Sequence, residues 1–246
     1  MELEERNQSI FGYGSLILPT SLVGRFVNLE QSVDKIYKQE LGLEDESLVR
    51  EEAEEVWEGL KENLDLLPVR ILGFKRTYSF ESPRGGAMLE AEYTDDASDY
   101  INGIVVTGLN KEQRKEIDSS EEGYQRIDVP SEDIEHYLND GTLEEMELEL
   151  PESIEVYVAE DENKFFNEKT RRTRNETYHA RIIKGIEMLG ELFGEDFAQE
   201  FHKDFLESTY ERNFLTEKEW VKVYYNDSID YLFEQVIDEK ETKYSS

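Results

Sequence analysis

The chain of 246 residues has no cysteine, five prolines, three histidines, and 27 basic side chains against 59 acidic ones. Each shortage removes a class of function. Without cysteine there is no disulfide, no thiolate nucleophile and no Cys-ligated metal. His136, His179 and His202 stand far apart with no HxxxH or HxH spacing, so no metal site is expected and each is assigned a packing or surface role. A formal net charge of −32 repels nucleic acid and anionic membrane surfaces, and no basic patch of the kind that binds phosphates is present. No apolar run approaches membrane-spanning length, and residues 1–9 (MELEERNQS) are the opposite of a signal peptide in character. The expectation is a cytoplasmic protein that binds neither nucleic acid nor membrane.

Aromatic residues are plentiful. Fourteen Tyr, 12 Phe and two Trp are spread along the chain, enough apolar surface for a core, so the acidity does not signal disorder. The acidic residues are scattered over the elements instead of gathered in a tail, which describes a solvated acidic shell. Two origins for that shell stay open: a high-salt cytoplasm, where screening relieves self-repulsion, and an ordinary acidic cytosolic protein.

Periodicity gives a mixed order of elements. Ser9 to Tyr13 reads as a strand running into a glycine turn. From Leu48 to Leu67 the apolar residues Val49, Val56, Leu60, Leu64 and Leu67 fall at helical spacings, with acid on the other face. Strands follow at Val69 to Phe80, Ala87 to Tyr93 and Tyr100 to Leu109. Asn110 is placed to cap a helix through Ser120, and another strand, Tyr124 to Val129, comes after Gly123. Residues 132–145 read as a loose acidic loop, and Glu147 to Val158 alternates like a strand. In the last third, Ile182, Ile186, Leu189, Phe193, Phe197, Phe201 and Phe205 are spaced by four, three, four, four, four and four residues, a helical stripe broken or bent near Gly194. Core packing is its meaning. Thr216 to Lys240 reads as one more helix.

The motif that carries chemistry is Phe11-Gly12-Tyr13-Gly14-Ser15-Leu16. A strand ending in Tyr-Gly-Ser-Leu turns sharply, and glycine lets successive backbone N–H groups point at one spot with no Cβ in the way. Such a nest suits a carboxylate or a phosphate. Taken alone, the motif is better explained as an ordinary strand-to-turn connection.

Three further segments stand behind it in order: Ile71 to Phe80 (ILGFKRTYSF), Ile101 to Leu109 (INGIVVTGL) and Ile117 to Arg126 (IDSSEEGYQR). Together with FGYGSL they resemble the γ-glutamylcyclotransferase-like family, in which a YGSL turn is followed by a G-[YFW]-x-R strand, a V-x-G-V-[VL] strand and an L-D-x-x-E segment leading to a Tyr. The run Tyr178 to Tyr210 also looks like the helical region that many relatives carry. The chain departs from the pattern in the long stretch between Leu16 and Gly73 and in the loop around 131–146.

The resemblance implies an α+β fold: a small mixed β-barrel with flanking helices and a helical C-terminal part. On that pattern residues 1–160 hold the barrel, with an acidic helical insertion at about 28–67, and residues 161–246 form a helical extension packed on the same domain. The implied substrate is a small γ-glutamyl compound, and the implied reaction is attack of its α-amine on its own γ-carbonyl, releasing 5-oxoproline and an amine or amino acid. No cofactor and no metal is implied, and the oligomeric state is left open.

The resemblance also assigns roles. The backbone of Tyr13, Gly14, Ser15 and Leu16 would grip the substrate α-carboxylate, and Tyr124 would hydrogen-bond in the pocket. One glutamate would act as general base and then general acid. Counting from Asp118 gives Glu121, and counting back from Gly123-Tyr124 gives Glu122. Arg76 and Arg126 are expected to pair with buried acids in structural roles. Ser15 has no sequence motif marking a base for it, so a serine hydrolase is set aside. An alternative remains in which the same scaffold is a non-catalytic binding or interaction protein.

Overall fold

The computed structural model describes residues 8–18, 21–22, 64–81, 87–94, 96–121, 124–145, 151–159, 176–213 and 219–222. Among these residues, ten strands fall in two mixed sheets. The larger has the order β6-β8-β1-β5-β2-β7, made of Tyr124–Pro130, Ser153–Ala159, Gln8–Gly12, Tyr100–Leu109, Asp65–Leu72 and Ile134–His136. The smaller has the order β10-β9-β3-β4, made of Glu219–Lys222, Thr209–Asn213, Phe74–Glu81 and Ala87–Tyr93. Neighbours run antiparallel except β1 beside β8 and β3 beside β9. With four helices among the described residues, α1 (Lys111–Ser120), α2 (Asp140–Glu145), α3 (Glu176–Phe193) and α4 (Glu195–Glu207), this is an α+β fold built on a half-barrel of mixed sheet.

Local sequence explains several of these elements. β5 is a near-continuous apolar run because it lies in the middle of its sheet, with β1 and β2 on its flanks and Ile101, Ile104, Val105 and Val106 all buried. The chain leaves it at Asn110, whose side-chain oxygen accepts from the N–H groups of Glu112 and Gln113 while Gln113 reaches back to the Asn110 N–H. This capping box starts α1 one residue after the strand ends. The apolar stripe of the last third forms two helices that part at Gly194, and Ile182, Ile186, Leu189, Phe201 and Phe205 are all fully buried.

Four expectations are corrected. The run Val69 to Phe80 is two strands in different sheets, divided at Gly73, where φ is +78°. Glycine tolerates that backbone without penalty, and the apolar pattern continues straight across it. The strand before the break begins at Asp65, so Leu67 lies in β2 and not in a helix; residues 28–63 are outside the described ones. Residues 131–145 are ordered: a 3-10 turn (Ser131–Asp133) leads into β7, where Ile134 pairs with Ile71, and then into α2. Within Thr216 to Lys240 the described residues 219–222 form β10, paired with β9.

Candidate active site

Strand β1 ends at Gly12, and the chain passes through Tyr13 and Gly14 into a 3-10 turn, Ser15–Ile17. The turn closes through the N–H of Ile17 on the Gly14 carbonyl at 3.0 Å and the N–H of Leu18 on the Ser15 carbonyl at 3.2 Å. The N–H groups of Ser15 and Leu16 take no part in those bonds, as at any helix start. Leu16 and Ile17 bury their side chains in the core, so only the backbone of Leu16 is available to a ligand.

Helix α3 lies on this turn. A Cβ on Gly185 would come within 2.8 Å of the Ile17 and Leu18 backbone. Two turns earlier on the same face, Tyr178 sets its phenol oxygen where a Cβ of Gly14 would have to be. Gly14 thus leaves room for the Tyr178 hydroxyl to approach the turn this closely. Its backbone is not left-handed, with φ at −125°.

Arg76 of β3 supports the turn from below and is fully buried. Its guanidinium donates to the carbonyls of Tyr13 (3.1 Å) and Asn102 (2.8 Å), to Asn102 Oδ1 (2.5 Å), to Ser208 Oγ (2.8 Å) and to Thr209 Oγ1 (3.0 Å), and lies 4.0 Å from the centre of the Phe205 ring. None of these partners is a carboxylate, which corrects the expected pairing with a buried acid. Burial lowers its pKa to about 10, against the opposing influence of Tyr78, Tyr137, Tyr178 and Tyr13. Arg126 is also corrected. It is half-exposed and pairs with Glu155 at 3.1 Å and Asp118 at 3.9 Å, neither of them buried.

Beyond the end of β1, the edge of β8 is finished by two side chains. The Tyr13 hydroxyl donates to the Tyr157 carbonyl at 2.8 Å, and Glu90 Oε1 of β4 accepts from the Ala159 N–H at 2.5 Å. Backbone groups two residues apart point to the same edge of a strand, so the Tyr13 hydroxyl and the Glu90 carboxyl sit side by side where β1 departs. Glu90 is 2% exposed, and its second oxygen is buried with no hydrogen-bond partner among the described residues. Burial first, then the charges of Glu121 and Glu92, push this carboxyl up to about 8 against the N–H groups of Ala159 and Ala91.

Glu121 caps the C-terminus of α1 and is half-buried. Its N–H reaches the Ile117 carbonyl at 3.0 Å, and its own carbonyl accepts from the Tyr124 N–H at 3.0 Å. The backbone thus holds Glu121 at the junction of helix and strand, and its charge acts on Tyr13, Glu90 and Tyr157. Burial raises the Tyr13 phenol well above its ordinary value, and Glu90, Tyr124, Tyr178 and Glu121 add to the effect.

Of the residues read from the sequence, Tyr13, Gly14, Ser15, Leu16, Glu121 and Tyr124 are thereby brought to one region, and Glu122 lies outside the described residues. Two residues escape the sequence reading. Tyr178 sits four residues before Ile182, one step along the same helical stripe, and that spacing is the signal that places it against the turn. Glu90 gives no such signal, because alternation in AMLEAEY sets it on the same face as the exposed Glu92. The histidines are elsewhere or structural: His179 is buried and hydrogen-bonded through Nδ1 to the Tyr78 hydroxyl, and burial lowers His202 to about 4. Among the described residues, no group of three or more His, Asp or Glu is placed to hold a metal ion, and no helix is long and apolar enough to cross a membrane.

No family model matches the chain, and no curated protein matches it in sequence. Solved structures do. A yeast γ-glutamyl cyclotransferase specific to glutathione is 14% identical, with a TM-score of 0.45 over 83% of this chain and 97% of that one. A second structure described as γ-glutamyl cyclotransferase is 11% identical, with a TM-score of 0.43 over 94% and 98%. A human protein described as uncharacterized is 12% identical, with a TM-score of 0.45 over 93% and 97%. Solved γ-glutamyl cyclotransferases are therefore among the structures this chain is similar to, and none of the likenesses assigns a residue or a reaction to it.

Proposed function

We propose that the chain is a γ-glutamyl cyclotransferase. The observation that carries this reading is that Glu121 and Tyr178, each more than a hundred residues away in sequence, both act on Tyr13, the residue that begins the Tyr13–Leu16 turn. In the proposal, the substrate α-carboxylate rests on the N–H groups of Ser15 and Leu16, with the buried charge of Arg76 behind the Tyr13 carbonyl favouring an anion at the turn. Tyr178 and Tyr124 line the place where the glutamyl chain folds back on itself. Glu121 takes a proton from the α-ammonium group, and the freed amine attacks the γ-carbonyl.

Positioning is the main contribution to the rate. Nucleophile and electrophile belong to one molecule, so a site that holds the folded conformer gains an effective molarity on the order of 10⁵ M or more. A turn held rigid by Arg76 and by the contact of α3 suits that task better than a flexible loop.

Release of 5-oxoproline tests the reading. The panel is γ-glutamyl dipeptides, γ-glutamyl amines and glutathione at low and high salt, with Glu121→Gln and Glu122→Gln alongside. Release that is abolished by one substitution alone supports the reaction and names the base. A folded protein that releases nothing from any member supports the non-catalytic binding reading instead.

A further inference from the structure

We propose that Glu90 is a second catalytic carboxyl, the acid that protonates the departing amine, so that proton removal and proton delivery are divided between Glu121 and Glu90. The inference rests on the cyclotransferase reading and goes beyond it, because that reaction in its simplest form uses one glutamate for both steps.

Placement is the first support. Glu90 is joined to the β8 edge by one oxygen only, beside the hydroxyl of Tyr13, the residue whose backbone begins the turn assigned to the substrate. Its other oxygen is buried without a partner among the described residues. A buried unpartnered carboxylate oxygen is costly, whereas a carboxyl keeping its proton has an O–H to offer a ligand. A residue needed only to finish the strand edge would not have to be acidic; glutamine would accept from Ala159 equally well.

The surroundings are the second support. The titratable groups that act on Glu90 or share its surroundings are Tyr13 just beyond the end of β1, Glu121 at the end of α1 and Glu92 on its own strand, and Tyr124 and Tyr178 act in turn on Tyr13. Among those groups there is no cation. Burial of Glu90, with the charge of Glu121 behind it, disfavours the ionised form of Glu90. Glu90, the more deeply buried of the two, is the carboxyl suited to hold a proton for donation.

The protons balance. Glu121 takes one from the α-ammonium, and the amine nitrogen bonds to the γ-carbonyl carbon. As the bond from that carbon to the leaving nitrogen breaks, Glu90 gives its proton to the leaving nitrogen. The ring nitrogen then surrenders its second proton to Glu90, and Glu121 passes its own to the departed amine through solvent. Both carboxyls return to their starting states with 5-oxoproline and the protonated amine as products.

The experiment compares leaving groups of different basicity. Wild type and Glu90→Gln are assayed for 5-oxoproline release from a γ-glutamyl alkylamine, whose nitrogen must be protonated to leave, and from γ-glutamyl-p-nitroanilide, whose nitrogen leaves more readily. The expected result is a loss of about 100-fold or more on the alkylamine and less than about tenfold on the anilide. Equal losses on both, or none, overturn the assignment and leave Glu90 as an edge cap. A second measurement needs no catalysis: isotope-edited infrared spectra at neutral pH should show a protonated carboxyl that Glu90→Gln removes, and an unchanged band overturns the proposal. Should Glu90→Gln fail to fold, wild type decides, since its sensitivity to leaving-group basicity must rise as pH passes the titration of the buried acid. If wild type turns over no substrate while the infrared band is present, the cyclotransferase reading itself has failed, and the acid assignment falls with it.

Discussion

The guanidinium of Arg76 donates a hydrogen bond to the carbonyl of Tyr13, so a fully buried cation 63 residues away in sequence fixes the first residue of the glycine turn. The same group binds Asn102 of β5 and Ser208 and Thr209 at the end of α4. Arg76→Met removes the donor these buried groups share, although the Ser208 and Thr209 hydroxyls keep their bonds to the Phe205 carbonyl, and the expected cost is on the order of 3–5 kcal/mol. Arg76→Lys keeps the charge but not the planar fork and should lose about 2 kcal/mol. Urea unfolding measures both, and a loss below about 0.5 kcal/mol for Arg76→Met would show that the turn does not depend on this residue.

Gly14 and Tyr178 make a pair that a double-mutant cycle can test. Gly14→Ala forces its Cβ into the Tyr178 hydroxyl, whereas the ring carbon behind that oxygen lies an ordinary 3.5 Å away. Tyr178→Phe removes the oxygen and should restore part of the stability that Gly14→Ala loses. The expected coupling is about 1–2 kcal/mol, measured by thermal or urea unfolding of the four proteins. Strictly additive losses would mean that the glycine answers to the backbone and not to the helix above it.

How much of this was legible depended on whether the cause was local. Asn110 and Gln113 announce the start of α1 because a capping box lies within four residues, and the break in the helical stripe is visible at Gly194. Gly73 is different. It moves the chain from one sheet to the other, yet ILGFKR keeps its apolar rhythm across it, so two strands read as one. Residues 132–145 read as a loose acidic loop, because what orders Ile134 is its pairing with Ile71, a partner that local pattern cannot name. Glu90 is the extreme case. Its face of β4 alternates like any solvent face, and only the arrival of β8 and of Tyr13 encloses it.

Glu121→Gln keeps the size of the side chain and the backbone bonds that cap α1, so the protein should fold. If Glu121 is the base, kcat for 5-oxoproline release should fall by about 10²–10⁴-fold while KM changes little, since the substrate carboxylate is held by the turn. A rise in KM with kcat intact would assign Glu121 to binding instead.

The burial of His202 adds to the acid limb of stability. Burial lowers its pKa to about 4, and its Nε2 is buried with no partner among the described residues. As pH falls from about 6.5 the unfolded chain gains this proton while the folded chain does not, so stability is lost until about pH 4. His202→Gln should flatten that limb by on the order of 2–3 kcal/mol, read from urea unfolding at pH 7 and pH 4.5. An unchanged slope would mean that His202 is protonated in the folded protein.

Glu90 acts on the opposite limb. A free glutamate titrates near pKa about 4.3. Here burial, with the charge of Glu121 behind it, pushes the carboxyl to about 8. The raised value belongs to the folded state, so between these limits the unfolded chain releases a proton that the folded chain retains, and stability falls as pH rises through the window. Glu90→Gln has no such proton. Its stability relative to wild type should therefore climb steadily from pH 4.5 to pH 8, by on the order of 3–5 kcal/mol in total, and level off above. Urea unfolding of the two proteins across that range measures the difference. A constant gap would mean that Glu90 is ionised in the fold like any surface acid. A rising gap would show a carboxyl whose protonated form the fold prefers, and wild type would then carry a stability cost for an acid that glutamine could replace structurally.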